Sequence, residues 1–260
     1  MINEQEKLMI VNKTIKTNSD HYAIIGLGDL HVGHDCCDEN AINDMIKWIS
    51  EKDKAQVGVV LTGDLIENVL PTSKGSLFEM KYPSPQKQLD VVCDMLRPIS
   101  GHILMMCDGN HENRTSNNSG IIVSKIISKE LKIPYVGYHG ILNLTLVNRN
   151  KKINYTAYAE HGCGAIPRSV GGRYNRLTSI QNQVEADIYL KGHIHHKLVF
   201  DKRVWKFRNG KMEKRKIIFA SNGSYLMDAE YAIRSGFEPT NHGVAKVLLS
   251  TKEFNIHCNI

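Results

Sequence analysis

Five short polar clusters hold most of the side chains that could do chemistry in this chain of 260 residues. They are Gly28-Asp29-Leu30-His31, Gly63-Asp64, Gly109-Asn110-His111-Glu112, the isolated His161, and Gly192-His193-Ile194-His195. Carboxylate and amide oxygens mixed with imidazole nitrogens suit a pair of borderline divalent metals such as manganese, iron or zinc. An aspartate after glycine is commonly only a turn former, and one histidine is commonly a satisfied core or surface group. Seven ligand-type residues in ordered clusters are harder to explain that way.

The elements that must position these residues are strands. Tyr22–Leu27 precedes the first cluster, Val57–Thr62 the second, Ile103–Cys107 the third and Ile188–Lys191 the fifth, and each run is apolar and β-rich. Ligands therefore fall at the carboxyl ends of strands, where open α/β sheets build their sites. Between the strands, Ala41, Ile42, Met45, Ile46 and Ile49 recur at helical spacing, with Asp38 or Asn40 as the cap. Leu89, Val92, Cys93 and Leu96 predict a second helix over Gln86–Leu96, ended by Pro98, and a third runs from about Gly120 to Leu131. The second half reads as strands at Tyr135–Tyr138, Ile141–Val147 and Ile153–Ala159. Leu198–Phe207 and Lys214–Ala220 then flank the turn dipeptide Asn209-Gly210, and Val244–Leu249 and Glu253–Cys258 make a last pair. Periodicity alone thus gives an α/β protein.

Composition narrows the setting. No apolar run approaches a membrane span, and residues 1–20 lack the apolar stretch of a secretory signal. Six cysteines at irregular spacing do not form a disulfide framework, so a reducing, cytoplasmic location is expected. With no repeat or linker to split the chain, residues 21–260 read as one domain after an N-terminal extension or irregular first strand at 1–20. The net charge of +6 favours an anionic partner only slightly, but it is unevenly spread. Arg168, Arg173 and Arg176 gather in an expected loop with Gly171 and Gly172. Basic residues from Lys202 to Lys216 alternate with Trp205 and Phe207 in the hairpin.

The five clusters, in this order, resemble the signature of the calcineurin-like metallophosphoesterase superfamily: Asp-x-His, Gly-Asp, Gly-Asn-His-Asp/Glu, His, Gly-His-x-His. The resemblance implies a four-layer α/β/β/α sandwich with two divalent metals at the strand ends, manganese favoured and iron, zinc, cobalt or nickel acceptable. It assigns Asp29, His31 and His195 to one ion, Asn110, His161 and His193 to the other, and Asp64 to both. The two-residue spacing of Asp29 and His31 would put both side chains on one side of an extended segment. His111, kept protonated near neutral pH, would contact the phosphate or give a proton to the leaving oxygen, with Glu112 orienting it and Asp64 and Asn110 completing the catalytic set. Glu67 and Asn68 fit helix capping or support of the ligands. The implied reaction is in-line attack on phosphorus by a hydroxide bridging ions about 3.5–4 Å apart.

Substrate is less legible. Gly63–Ser73 loosely resembles the DNA-repair exonuclease branch of the superfamily, with Thr72 interrupting its Pro-Ser. Arg168, Arg173, Arg176 and Asn110 are candidate substrate contacts, although the arginines could equally pair with Asp187 or Glu185. The hairpin at 202–216 suits single-stranded nucleic acid, or its lysines simply blunt an edge strand. Only about sixty-five residues follow His195, which favours a compact phosphodiesterase acting on a nucleotide or nucleic acid over a full repair nuclease. A phosphomonoesterase is the alternative, and a non-catalytic scaffold of the same fold is a third reading.

Overall fold

The computed structural model describes residues 8–259, except Thr72, Lys74, Asn209, Ser235, Phe237, Pro239, Thr240 and Asn241. The strands are β1 (Met9–Lys16), β2 (His21–Leu27), β3 (Val57–Leu61), β4 (Ile103–Met106), β5 (His139–Asn148), β6 (Lys151–Glu160), β7 (Ile188–Lys191), β8 (Leu198–Arg208), β9 (Lys211–Ser221), β10 (Ala245–Ser250) and β11 (Ile256–Asn259). The helices are α1 (Glu39–Ser50), α2 (Pro85–Leu96), α3 (Asn110–Ser119), α4 (Val123–Leu131), α5 (Val170–Thr178) and α6 (Glu230–Arg234).

The strands form two sheets, one ordered β11-β10-β2-β3-β4 and the other β1-β5-β6-β7-β9-β8. In β2 the side chains alternate between two cores, as the two-residue period of a strand requires. Ala23, Ile25 and Leu27 pack with Ile42, Ile46 and Ile49 of α1 and Leu89, Val92 and Leu96 of α2. Tyr22 and Ile24 face Leu142, Leu144 and Leu146 of β5 and Ile188 of β7 across the gap between the sheets. A third cluster joins Tyr158, Tyr189 and Phe219 of the second sheet to Leu177 of α5. This is the mixed α/β class that periodicity predicts, with the two sheets that the family resemblance implies.

The helix caps follow the sequence closely. Asp38 accepts from the Ala41 amide at 2.9 Å to start α1, and Ser84 caps α2 with Pro85 in its first turn. Four expectations change. Residues 9–16 are a regular strand, paired in parallel with Gly140–Val147, rather than an extension or an irregular strand. Tyr135 makes only a single bridge to Met106, so Tyr135–Tyr138 is not a strand. α3 was not predicted, because Asn-His-Glu-Asn-Arg-Thr-Ser-Asn-Asn-Ser has no apolar stripe. Finally, the segment expected to be an arginine loop is largely helix α5, opened by the Ser169 hydroxyl accepting from Gly172 N–H at 3.1 Å. No helix among the described residues is long and apolar enough to cross a membrane.

Candidate metal centre

The seven expected ligands meet where both sheets end. Asp29 and His31 follow β2, Asp64 follows β3, and Asn110 opens α3 after β4. His161 directly follows β6, and His193 and His195 follow β7. Asp29, His31, Asp64, His193 and His195 all sit at positive φ, between 50° and 67°. The Asp29–His31 segment is therefore tightly turned and not extended as expected. Five non-glycine residues in a region that side chains rarely adopt mark a backbone held by its surroundings.

Two groups of donors result. Asp29, His31 and His195 form one, with His31 Nε2 3.2 Å from His195 Nε2 and His195 Nε2 3.2 Å from Asp29 Oδ1. Asp64, His161 and His193 form the other, joined by Asn110, whose Oδ1 lies 2.9 Å from His161 Nε2. Asp64 Oδ2 is 3.1 Å from that same nitrogen and 3.7 Å from His111 Nε2, while its Oδ1 accepts the His111 backbone N–H at 2.9 Å.

The outer hydrogen bonds decide which ring nitrogens face inward. His31 Nδ1 donates to Glu67 Oε2 at 2.7 Å, and His161 Nδ1 donates to the Thr62 carbonyl at 2.8 Å. Both leave Nε2 as the lone-pair atom directed at the other donors, the usual arrangement of a metal-binding imidazole. His193 donates through Nε2 to the Gly164 carbonyl at 2.6 Å, which leaves Nδ1. Around His161 Nε2 stand two oxygens that only accept. Without an ion that nitrogen must carry a proton to meet them: burial opposes the charge, but Asp64 and Asp29 prevail and push its pKa up to about 9. Burial also opposes ionisation of Asp64 and Asp29, yet the surrounding histidines hold Asp64 well below the usual carboxylate range and Asp29 below it. The donors fit cations.

Glu67 takes the supporting role rather than the capping one, and Glu112 caps α3 instead of orienting His111. Glu67 is buried and caps no helix; it fixes His31 through its carboxylate, and its carbonyl accepts His111 Nδ1–H at 2.7 Å. Glu112 does not touch His111. Its carboxylate accepts four backbone N–H groups, from Asp64, Leu65, Ile66 and Gly109, at 2.7–3.0 Å, and so ties the loop after β3 to the start of α3. Burial and the Asp64 charge push its pKa up to about 7. The two loops touch so closely that a Cβ on Gly109 would stand 2.0 Å from Asp64 N.

His111 is neutral here, contrary to expectation. Burial carries its pKa down to about 4 against the pull of Asp64 and Glu67. Arg114 Nη2 donates to its Nε2 at 3.0 Å, and Arg114 Nη1 donates to the Glu67 carbonyl at 2.9 Å. Arg114 was missed in the sequence. Asn222 donates to Asp29 Oδ2 and accepts from Thr62 Oγ1 at 2.9 Å, and Tyr225 N–H donates to the Asp29 carbonyl at 2.9 Å. The Asn222–Tyr225 segment thus supports the first loop.

The expected substrate arginines lie on α5 or just before it. Arg173 is buried and donates to the Pro167 carbonyl and Glu238 Oε2, both at 2.9 Å, so it does not pair with Asp187 or Glu185. Arg176 is half-buried near Gly164, and Arg168 is exposed. The hairpin also lies elsewhere. β8 leaves the site at Leu198, and Phe207 is nine residues further along it, about 30 Å at the usual strand rise. Trp205 and Phe207 are exposed there, while Lys206 is buried against Asp187 and the Ala186 carbonyl.

A sheet-based centre of clustered Asp, His and Asn donors defines a metallophosphoesterase type of site. The sequence profile of the calcineurin-like phosphoesterases matches residues 22–228, and the chain belongs to that family. Among solved structures, a predicted phosphoesterase from Streptococcus pneumoniae is 14% identical, with 92% of this chain and 90% of that one aligned at a TM-score of 0.36. A double mutant of Vps29 from Entamoeba histolytica is 13% identical over 91% of this chain and 98% of that one, with a TM-score of 0.41. GAP50, the anchor in the inner membrane complex of Plasmodium, is 10% identical over 92% and 89%, with a TM-score of 0.49. A search of curated proteins finds no match.

Proposed function

We propose that the protein hydrolyses a phosphodiester of a nucleotide, using two divalent cations, manganese by preference. One observation carries this reading: donors from five loops converge as two groups around Asp64, with their inward nitrogens set by outer hydrogen bonds. Asp29, His31 and His195 would hold one ion and Asn110, His161 and His193 the other, with the Asp64 carboxylate available to both. When bound, such a pair supplies Lewis acidity and a water whose pKa is lowered toward neutrality.

The protein's own groups do the rest. Asn110 contributes a neutral oxygen, which keeps its side of the centre more electrophilic than another carboxylate would. Arg114 brings a fixed positive charge to the phosphoryl oxygens. An arriving phosphate anion replaces Arg114 as the partner of His111 Nε2 and favours its protonation by solvent water, so His111 takes up a proton and gives it to the leaving oxygen only with ester bound. A singly charged diester matches this sparse set of cations better than a doubly charged monoester, since Arg173 is already paired with Glu238. The basic hairpin, remote from the centre, serves at most a long nucleic acid.

The test compares bis-p-nitrophenyl phosphate with p-nitrophenyl phosphate, each with manganese and with chelator. Chelator-sensitive cleavage favouring the bis-ester is expected, and Asp64→Asn should lose activity and metal together. Preference for the mono-ester points to a phosphatase. Cleavage that survives metal loss in Asp64→Asn ends the two-ion reading.

A further inference from the structure

Beside the second ion group a cleft of about 320 Å³ opens between the start of α3, the turn before β5 and the loop after β6. That is the lower end of the range for small-ligand sites, about 300–1,000 Å³. Asn110 belongs to both the cleft and the metal centre, so a group in the cleft would be attached to an ester at the ions.

Its lining holds one tyrosine ring and is rich in acceptors. Tyr138 offers a ring that is 45% exposed on the rim, with no neighbouring ring in contact among the described residues. The Asn113 side-chain amide, a donor and an acceptor side by side, has no partner among the described residues. His139 Nδ1 lies 2.9 Å from the Tyr158 hydroxyl, which itself donates to Glu160 Oε2 at 2.9 Å. That hydroxyl has one proton to give, so His139 donates to it and keeps its Nε2 as an acceptor. Glu160 Oε1 is already paired with Lys191.

We propose that this cleft is the recognition site for a nucleobase bearing an exocyclic amine, stacked on Tyr138 and read at its edge by Asn113 and His139. Stacking on an aromatic ring accepts any base, and a side-chain amide pairs with an adjacent amine and ring nitrogen, as asparagine does with adenine. Asn113 alone could also pair with the N3–H and carbonyl of uracil or thymine, so the selection falls to His139 Nε2, an acceptor that an exocyclic amine can meet and a carbonyl oxygen cannot. The inference rests on the hydrolase reading for its place in catalysis, but base binding can be measured apart from turnover.

Cys163 supplies the probe, being the exposed cysteine among the six and part of the cleft lining. The manganese-loaded protein is alkylated with iodoacetamide and the Cys163 peptide is followed by mass spectrometry. Adenosine 5′-monophosphate should slow its labelling roughly tenfold at concentrations where uridine 5′-monophosphate and ribose 5-phosphate do not. Asn113→Ala and Tyr138→Ala should each remove that protection. They should also lower the selectivity for a nucleoside p-nitrophenyl phosphate over the bis-ester by roughly tenfold. Equal protection by ribose 5-phosphate, or protection that both variants retain, overturns the proposal. Base-dependent protection without any ester cleavage would keep the cleft and remove the proposed reaction; cleavage without base-dependent protection would do the reverse.

Discussion

Glu67 offers the sharpest test of how the metal centre is built. It touches no proposed ion ligand except His31, whose Nδ1–H it accepts at 2.7 Å. Burial opposes its ionisation, but His111, His31 and Arg114 bring its pKa down from 4.5 to about 2. In the metal-free protein the whole shift would be worth about 3 kcal/mol, and with His111 neutral only the His31 and Arg114 part of it acts at neutral pH. The sign is that of a depressed carboxylate: the stabilisation is complete above pH 4.5 and disappears as the pH falls toward 2. Glu67→Gln keeps an acceptor for His31 but loses the charge, whereas Glu67→Ala leaves Nδ1–H without its partner. Outer partners of metal-binding histidines are worth about 10–100-fold in metal affinity, so glutamine should cost about tenfold and alanine about a hundredfold. Because His111 is held by the Glu67 carbonyl, turnover at saturating metal should fall much less than affinity. The assay is manganese titration against a competing chelator, read by bound metal and by bis-p-nitrophenyl phosphate cleavage. Thermal unfolding in chelator reports the loss of stability separately. Wild-type metal affinity in both variants would refute the reasoning.

Other expectations can be checked together. His111→Ala should keep both ions and slow turnover by roughly 10²–10⁴-fold, measured as metal content and kcat; normal turnover would remove His111 from the chemistry. His161 holds a proton up to about pH 9 in the metal-free protein, and binding must displace it, so manganese affinity should climb between pH 6.5 and 9 with proton release. A flat affinity over that range would mean that His161 is not a ligand. By the same linkage, the stability that this proton gives the metal-free protein is complete below pH 6.5 and lost as the pH rises through about 9.

What could be read in advance depended on whether the signal was local. α1 and α2 announced themselves because Ile42, Ile46 and Ile49, and Leu89, Val92 and Leu96, form a stripe that a core must cover. The positions of the converging donors were legible because strand ends and short motifs coincide. α3 and α5 were not: one is polar throughout, and the other begins Val-Gly-Gly-Arg. The partners that set the chemistry came from far along the chain. Glu67 meets His31 across 36 residues, and Asn222 meets Asp29 across 193, distances over which no periodicity speaks. Arg114 was closer to hand, since it lies three residues from His111, but that spacing means contact only once α3 is known to be a helix.

The origin of the donors has a structural corollary. Asp29, Asp64 and Asn110 come from the first sheet, and His161, His193 and His195 from the second. Each proposed ion would therefore be a rivet between two layers whose apolar interior is already joined by Tyr22, Ile24, Leu144 and Ile188. Ions that bind only the folded chain add about 2.7 kcal/mol each at a hundred times their dissociation constant, on top of a core that does not need them. Stripping the ions should silence the protein without taking it apart, and returning them should restart it without refolding.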